Sequence, residues 1–256
     1  MIIRSLIDRL TRPIEGPGKV FAIVFLVIFA GIMALLVYSN SQASARELSA
    51  AAERGDAGSQ YRLGQKYFYG CDNCGVRQDY VRAVYWFRRA AEQGSSYAEF
   101  ALGVSYRHGR GVEQNHEQAV YWFRRGAERG NSYAEFDLGV SYRNGRGVEQ
   151  NYEQAAYWYR RAAYRGHVRA KFNLANQYQF GEGVEQNYEQ AVYWYRQAAS
   201  QRNERAEFML GVSYRLGQGV EQNYEQAVYW FRRAAAQGHE GAQENLDWMY
   251  RRGLID

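Results

Sequence analysis

Beyond Arg46 the apolar residues of the chain fall into short stripes at helical spacing, and each stripe returns after 36 residues. Around Trp122 the run Ala119, Trp122, Phe123, Gly126 and Ala127 follows the i, i+3, i+4, i+7, i+8 pattern of one apolar helix face. A second stripe, Ala98, Leu102 and Tyr106, predicts another helix from about Ala98 to Arg107. Gly109 and Gly111 make the tight link between the two. Asn115 stands as the N-cap of the later helix, with Gln118 in capping-box position, and Asn151/Gln154, Asn187/Gln190 and Asn223/Gln226 repeat the pair. Asp79/Arg82 keeps only the first half of that box. Gly94, Gly130, Gly166 and Gly238 sit where a left-handed C-terminal residue is wanted. Arg202 takes that place once, which predicts a different local turn there.

The period itself is strict. Trp86, Trp122, Trp158, Trp194 and Trp230 are 36 residues apart, as are Leu102, Leu138, Leu174, Leu210 and Leu246. Leu63 precedes Leu102 by 39, and the three extra residues fall in the loop Cys71-Asp72-Asn73-Cys74. A fixed period of roughly 20–50 residues marks a solenoid or related array. The repeated Leu is followed by Gly64, Gly103, Gly139 and Gly211, with Ala175 in the fourth unit. Glycine costs about 1 kcal/mol in a helix relative to Ala, so its retention predicts close helix approach beside the Trp.

The first forty-five residues are of another kind. Val20 to Tyr38 is nineteen residues without a charge; at about 1.5 Å per residue such a helix spans roughly the 30 Å hydrocarbon core. Basic residues precede it and almost none follow closely, which keeps the N-terminus cytoplasmic and exports the rest. The expected organisation is therefore a cytoplasmic N-terminus (1–19), a transmembrane signal anchor (20–38), a linker (39–45) and an all-α solenoid (46–256). In a bacterium this is a single-pass inner-membrane protein facing the periplasm. The competing reading is a signal peptide cleaved after Ala43-Ser44-Ala45, giving a soluble periplasmic protein.

Composition narrows the chemistry. The 256 residues include 23 Tyr, 12 Phe and 6 Trp against two Pro and two Cys, which excludes a disordered or disulfide-dense chain. The net charge is +5, and the part of it beyond the apolar segment is too small for a nucleic-acid footprint. Four scattered His and two Cys leave little for a metal or catalytic site. No nucleophile–base pair, phosphate loop or carboxylate pair stands out, so no catalysis, cofactor or small-molecule substrate is expected.

The string Leu102-Gly103, Tyr106, Gly109-x-Gly111-Val112, Ala119, Trp122-Phe123, Ala127, Gly130 resembles the Sel-one-like repeat (SLR), a relative of the tetratricopeptide repeat, and the resemblance covers residues 46–256. Arg46–Arg54 looks like an entering helix and Gly241–Arg252 like a last first-type helix. Ala175 and Asp247 depart at the Gly position. The resemblance implies a right-handed superhelix that binds proteins or peptides, with first helices lining the concave surface. It also implies that exported bacterial members serve as adaptors or as immunity proteins.

Two sets of residues could read a partner. Along the exposed stripe of the first helices one column runs Arg62, Ala101, Asp137, Asn173, Met209, Asn245; another, two turns on, runs Tyr69, His108, Asn144, Phe180, Leu216, Arg252. These vary while the loop and second helix are nearly copied. Drift on a solvated face would leave the same trace. The second set is the ladder Tyr85, Tyr121, Tyr157, Tyr193 and Tyr229, followed four residues later by Arg89, Arg125, Arg161 and Arg233, with Gln197 interrupting. Tyr and Arg are frequent in binding hot spots, but these rings could equally pack against the next repeat. Arg124/Arg125 and their copies, alternating with Glu117 and Glu128, read as a solvated salt-linked face. In an oxidising periplasm Cys71 and Cys74 are expected to form a local disulfide; redox chemistry lacks its βαβ context, and zinc lacks ligands beyond His108. The leading function is a membrane-anchored adaptor binding an envelope protein. The alternatives are an immunity protein against a toxic secreted effector, such as a lipid-cleaving one, and a peptidoglycan- or glycan-binding module.

Overall fold

The computed structural model describes residues 43–255, which are helical with no strand among them; only Cys71 and Val76 form an isolated bridge. The predicted membrane helix over Val20–Tyr38 lies outside the described residues, within which no helix is long and apolar enough to cross a membrane. Helix α1 (43–53) is already helical at Ala43–Ala45, ahead of Arg46. First and second helices then alternate: α2 (Ala57–Tyr69) with α3 (Tyr80–Glu92), α4 (Ser96–His108) with α5 (His116–Glu128), and α6 (Ser132–Asn144) with α7 (Tyr152–Tyr164). They continue as α8 (Val168–Phe180) with α9 (Tyr188–Ala199) and α10 (Glu204–Leu216) with α11 (Tyr224–Ala236), closed by α12 (Glu240–Arg251). First helices of neighbouring units touch each other, α4 with α6 and α10 with α12.

Most of the helices begin where a short polar side chain takes an orphan backbone N–H; the last, at His239, has no side-chain cap. Asn115, Asn151, Asn187 and Asn223 accept from the backbone N–H three residues on, and Asp79 does the same from Arg82. The capping box goes no further, because the backbone N–H that Gln118 would satisfy is used elsewhere: Asn115 N donates to the Tyr106 carbonyl at 2.9 Å. That bond fastens the start of a second helix to the end of the first. Gln114, one residue earlier, adds a side-chain bond to the Arg107 carbonyl at 2.8 Å, and Gln150, Gln186 and Gln222 copy it.

The close approach that the repeated glycine allows is to the ring after the Trp. A methyl on Gly139 would lie 2.7 Å from the Tyr159 ring, and Gly64 and Gly211 face Phe87 and Phe231 in the same way. Phe123, Tyr159, Tyr195 and Phe231 are fully buried; of the Trp column, Trp86, Trp158 and Trp194 are buried and Trp122 and Trp230 only half-buried. Tyr195 meets Ala175 in the unit that lacks the glycine, and its hydroxyl donates to Asn176 Oδ1 at 2.7 Å. Arg202 does not produce the different turn expected of it. It takes the left-handed conformation itself (φ 59°), with the same backbone bonds to Ala199 and the next residue's to Ala198.

One cap carries a proton switch. His167 caps α8 through Nδ1, which accepts from Ala170 N, and stacks on Phe136 at 4.5 Å. Burial first, and then the Arg169 charge, bring its pKa down to about 4. The neutral form is favoured in the fold, so its contribution is complete above the unfolded value of about 6.5 and is lost as pH falls toward 4. His167→Asn, matching Asn131 and Asn203 in the neighbouring units, is expected to leave stability at pH 7 nearly unchanged. It should remove about 1–2 kcal/mol of the loss between pH 7 and pH 4.5, after allowance for partial exposure. Thermal melting at the two pH values reads this directly.

Candidate functional site

The second predicted column lies open along the C-terminal ends of the first helices. Tyr69 is 74% exposed, Phe180 63% and Leu216 47%, and His108 and Asn144 are exposed with them. Each stands one residue before a glycine that ends its helix, so helix termination itself turns these side chains outward. Burial and the charges of Arg107 and Arg110 lower the His108 pKa, against the opposing Asp137.

The first column is different. Arg62 is exposed and, with Lys66, Tyr69 and Glu47, lines a cleft of about 740 Å³ between α1 and α2. Asp137 is buried and bonded to Arg107 across the α4–α6 contact at 2.8 Å. Burial raises its pKa while the Arg107 charge holds it back. Met209 packs against the core, and Asn173 is half-buried. Asp137 therefore belongs to the joint between two units rather than to a free surface, while Asn173 and Met209 stay partly exposed.

The tyrosine ladder is a ridge on the second helices, away from the first-helix column. Tyr85, Tyr121, Tyr157, Tyr193 and Tyr229 are each 47–52% exposed. Every ring meets its own following Trp edge-on, at 5.0 Å between centroids for Tyr157 and Trp158. The hydroxyls of Tyr85, Tyr121, Tyr157 and Tyr229 accept from the arginine one turn on.

Those arginines do more than the sequence pattern indicates. Glu99, Glu135 and Glu207 are fully buried on the first helices. Arg125 and Arg129 hold Glu99 at 3.1 and 3.3 Å, and Arg161 and Arg165 hold Glu135 at 3.0 and 3.3 Å. Glu207 takes Arg233 and the Gln237 amide, each at 2.6 Å. Burial raises the pKa of Glu99 and Glu135, opposed by the arginines. In the fourth unit both partners change together: Lys171 replaces the glutamate and Gln197 the arginine. That paired exchange was the signal in the sequence. The other arginine of each pair also has a partner, since Arg88, Arg124, Arg160 and Arg196 donate to the hydroxyls of Tyr106, Tyr142, Tyr178 and Tyr214 in the next unit. Glu117 and Glu128 are solvated as expected, but Arg125 turns to the buried Glu99 and Arg124 to Tyr142 of the next unit instead of pairing with them.

Cys71 and Cys74 are joined, with Cα atoms 5.4 Å apart, and Lys66 Nζ lies 3.3 Å from Cys74 Sγ. Among the described residues no group of three or more His, Cys, Asp or Glu is placed to hold a metal ion.

The Sel1 repeat family model matches five consecutive segments, residues 57–95, 96–131, 132–167, 168–203 and 204–239. The structure is similar to that of a Sel1 repeat protein from Oxalobacter formigenes: 34% identity, TM-score 0.70, with 78% of this chain and 80% of that one covered. It is also similar to c5321, a protective antigen of uropathogenic Escherichia coli strains displaying an SLR fold, at 32% identity and a TM-score of 0.69. There 82% of this chain is covered and 52% of the other, so the chain spans about half of that protein's length. A stretch of 60 residues is 33% identical to the ERAD-associated E3 ubiquitin-protein ligase component HRD3A of Arabidopsis thaliana, covering 23% of this chain and 9% of that protein.

Proposed function

The chain belongs to the Sel1 repeat family, and from that premise we propose that it holds a partner protein against the inner, first-helix face of its solenoid. An apolar helix over Val20–Tyr38 anchors it in a bacterial inner membrane, with the array in the periplasm. Sel1 repeats build protein-interaction surfaces, and the chain is assigned no reaction of its own. One observation carries the reading. Tyr69, His108, Asn144, Phe180 and Leu216 vary from unit to unit, yet all stay exposed on a scaffold whose loops and second helices are nearly copied. Constant residues build the array, and varied ones are free to recognise something.

A photo-crosslinking side chain at position 180 or 216 of the full chain, expressed in cells, tests this. One adduct of a single mass is expected at both positions and none at Val81, which is equally exposed on a second helix. Phe180→Ala with Leu216→Ala should weaken capture of that adducted protein at least tenfold while melting stays unchanged, as exposed truncations usually leave stability within about 0.5 kcal/mol. Equal capture by the variant would remove this face. If the adducted protein is a toxic effector, the chain is an immunity protein; retention on purified sacculi would instead favour the peptidoglycan-binding alternative. N-terminal sequencing of the mature protein tests the anchor, since a start at Arg46 would mean a cleaved signal.

A further inference from the structure

One unit opens its second helix with a residue that the other four do not use. Second helices open with Tyr80, Tyr152, Tyr188 and Tyr224, but the second unit opens with His116. Each of those tyrosines accepts at its hydroxyl from the glutamine two residues before it, at 3.0–3.2 Å. At the junction between the first two units Arg110 lies over the Tyr80 and Phe68 rings, 5.8 and 5.4 Å from their centroids. Its counterpart one period later is Arg146, and there the two rings are replaced by His116 and Arg107. Arg146 therefore has no aromatic face to lie on. It is exposed, and its guanidinium makes no ion pair among the described residues.

The missing phenol leaves space. A cleft of about 580 Å³ opens at this junction, lined by Arg107, His108, His116 and Arg146, with Phe123 and Val140 in its wall and no carboxylate among its lining residues. Asp137, the carboxylate that faces Arg107, is already bonded to it, and Glu117 beside His116 is exposed. Arg107 Nε also donates to His108 Nε2 at 3.2 Å, which orients that imidazole. Two guanidinium groups and two imidazoles thus meet around one cavity whose lining holds no carboxylate. His108 belongs both to the cleft and to the exposed column, so the two are continuous.

We propose that this cleft is an anion site that receives the carboxylate of an Asp or Glu side chain from an acidic segment of the protein partner. This rests on the docking face proposed above and adds to it the chemistry of one anchor. Arg146 supplies the free charge and the planar fork that matches a carboxylate, while Arg107 and the imidazoles of His108 and His116 surround it. Burial first, then the charges of Arg107, Arg110 and His116, disfavour a proton on His108 against the pull of Asp137, and an entering carboxylate adds to that pull. Binding should therefore raise the His108 pKa and tighten as pH falls below 7.

Fluorescein-labelled hexaglutamate is the probe, with hexaglutamine as its neutral match, titrated against the full chain in mild detergent at low salt. Hexaglutamate is expected to bind at least tenfold more tightly than hexaglutamine, to weaken with salt, and to raise the His108 imidazole pKa seen by NMR. His116→Tyr restores the residue of four other units, so it folds, and it should fill the cleft and cut hexaglutamate binding about tenfold or more. Arg146→Gln should do the same by removing the charge rather than by filling the cleft. Equal binding of the two peptides, or wild-type binding by both variants, overturns the site. So does binding of inorganic phosphate or of phosphatidylglycerol vesicles that is lost in His116→Tyr while hexaglutamate does not bind. Crosslinks lost at Phe180 with hexaglutamate binding retained would remove the docking face but keep the cleft; the opposite pair of results would remove the cleft alone.

Discussion

Phe123→Ala is expected to destabilise the chain by about 3–5 kcal/mol, and Trp122→Ala by clearly less. Phe123 is fully buried, and the absence of a side chain on Gly103 is what lets its ring pass between α4 and α5. Removing a buried Phe loses its transfer energy and leaves a cavity that stiff helices cannot close. Trp122 is larger, yet it is only half-buried, with Arg125 lying over its outer face at 5.1 Å. The array is close to one-dimensional, each unit touching only its neighbours. The loss is therefore local and should appear as early unfolding of the second unit. Urea unfolding with amide exchange on the full chain measures both. A Trp122→Ala loss equal to or above that of Phe123→Ala would return the centre of the hairpin to the Trp column.

That reversal shows where sequence reading stops. An apolar stripe at i, i+3, i+4 contains Trp122 and Phe123 alike, and periodicity alone cannot say which ring faces the partner helix and which leans outward. Helix positions, caps and the repeat were legible because they rest on local backbone chemistry: Asn115, Asn151 and Asn223 cap where their spacing predicts. Arg202 was misjudged for a related reason. The preference of glycine for the left-handed region is worth only about 1–2 kcal/mol, which a packed repeat on both sides can outweigh. Variation between units does not by itself mark exposure: Asp137 is variable and yet buried. Its actual constraint, Arg107 thirty residues earlier, lies on a different unit and has no periodic signature. The exposed column at Tyr69, Phe180 and Leu216 was readable because each member immediately precedes a helix-ending glycine. The cleft at His116 is a difference at one position in one unit, and its meaning came only with the neighbouring unit's Arg146 placed against it.

The buried glutamates lead to the second large effect. Arg161→Ala with Arg165→Ala should destabilise the chain by about 3–5 kcal/mol at pH 7, because Glu135 would stay fully buried with neither of its cations. Arg161 also donates to the Ala127 carbonyl of the preceding unit at 3.3 Å, so part of the loss is independent of charge. The two parts separate with pH. Burial already raises the Glu135 pKa against the pull of both arginines, and removing them raises it further. A carboxyl whose folded pKa is raised is at its best below the unfolded value of about 4.3, and stability is lost as pH rises through the folded value. The variant's deficit should therefore shrink on acidification from pH 7 toward pH 4.5, which is measured by comparing the melting of variant and wild type at each pH. Glu135→Gln added to the double variant should abolish that trend, because a neutral amide has no proton to gain. The fourth unit is the natural counterpart: with Lys171 and Gln197 in these places it has no buried carboxylate to neutralise, and Gln197→Ala should show neither the large loss nor its reversal in acid. A deficit that stays constant from pH 7 to pH 4.5 would mean that the arginines matter to Glu135 as packing and hydrogen bonds rather than as charge.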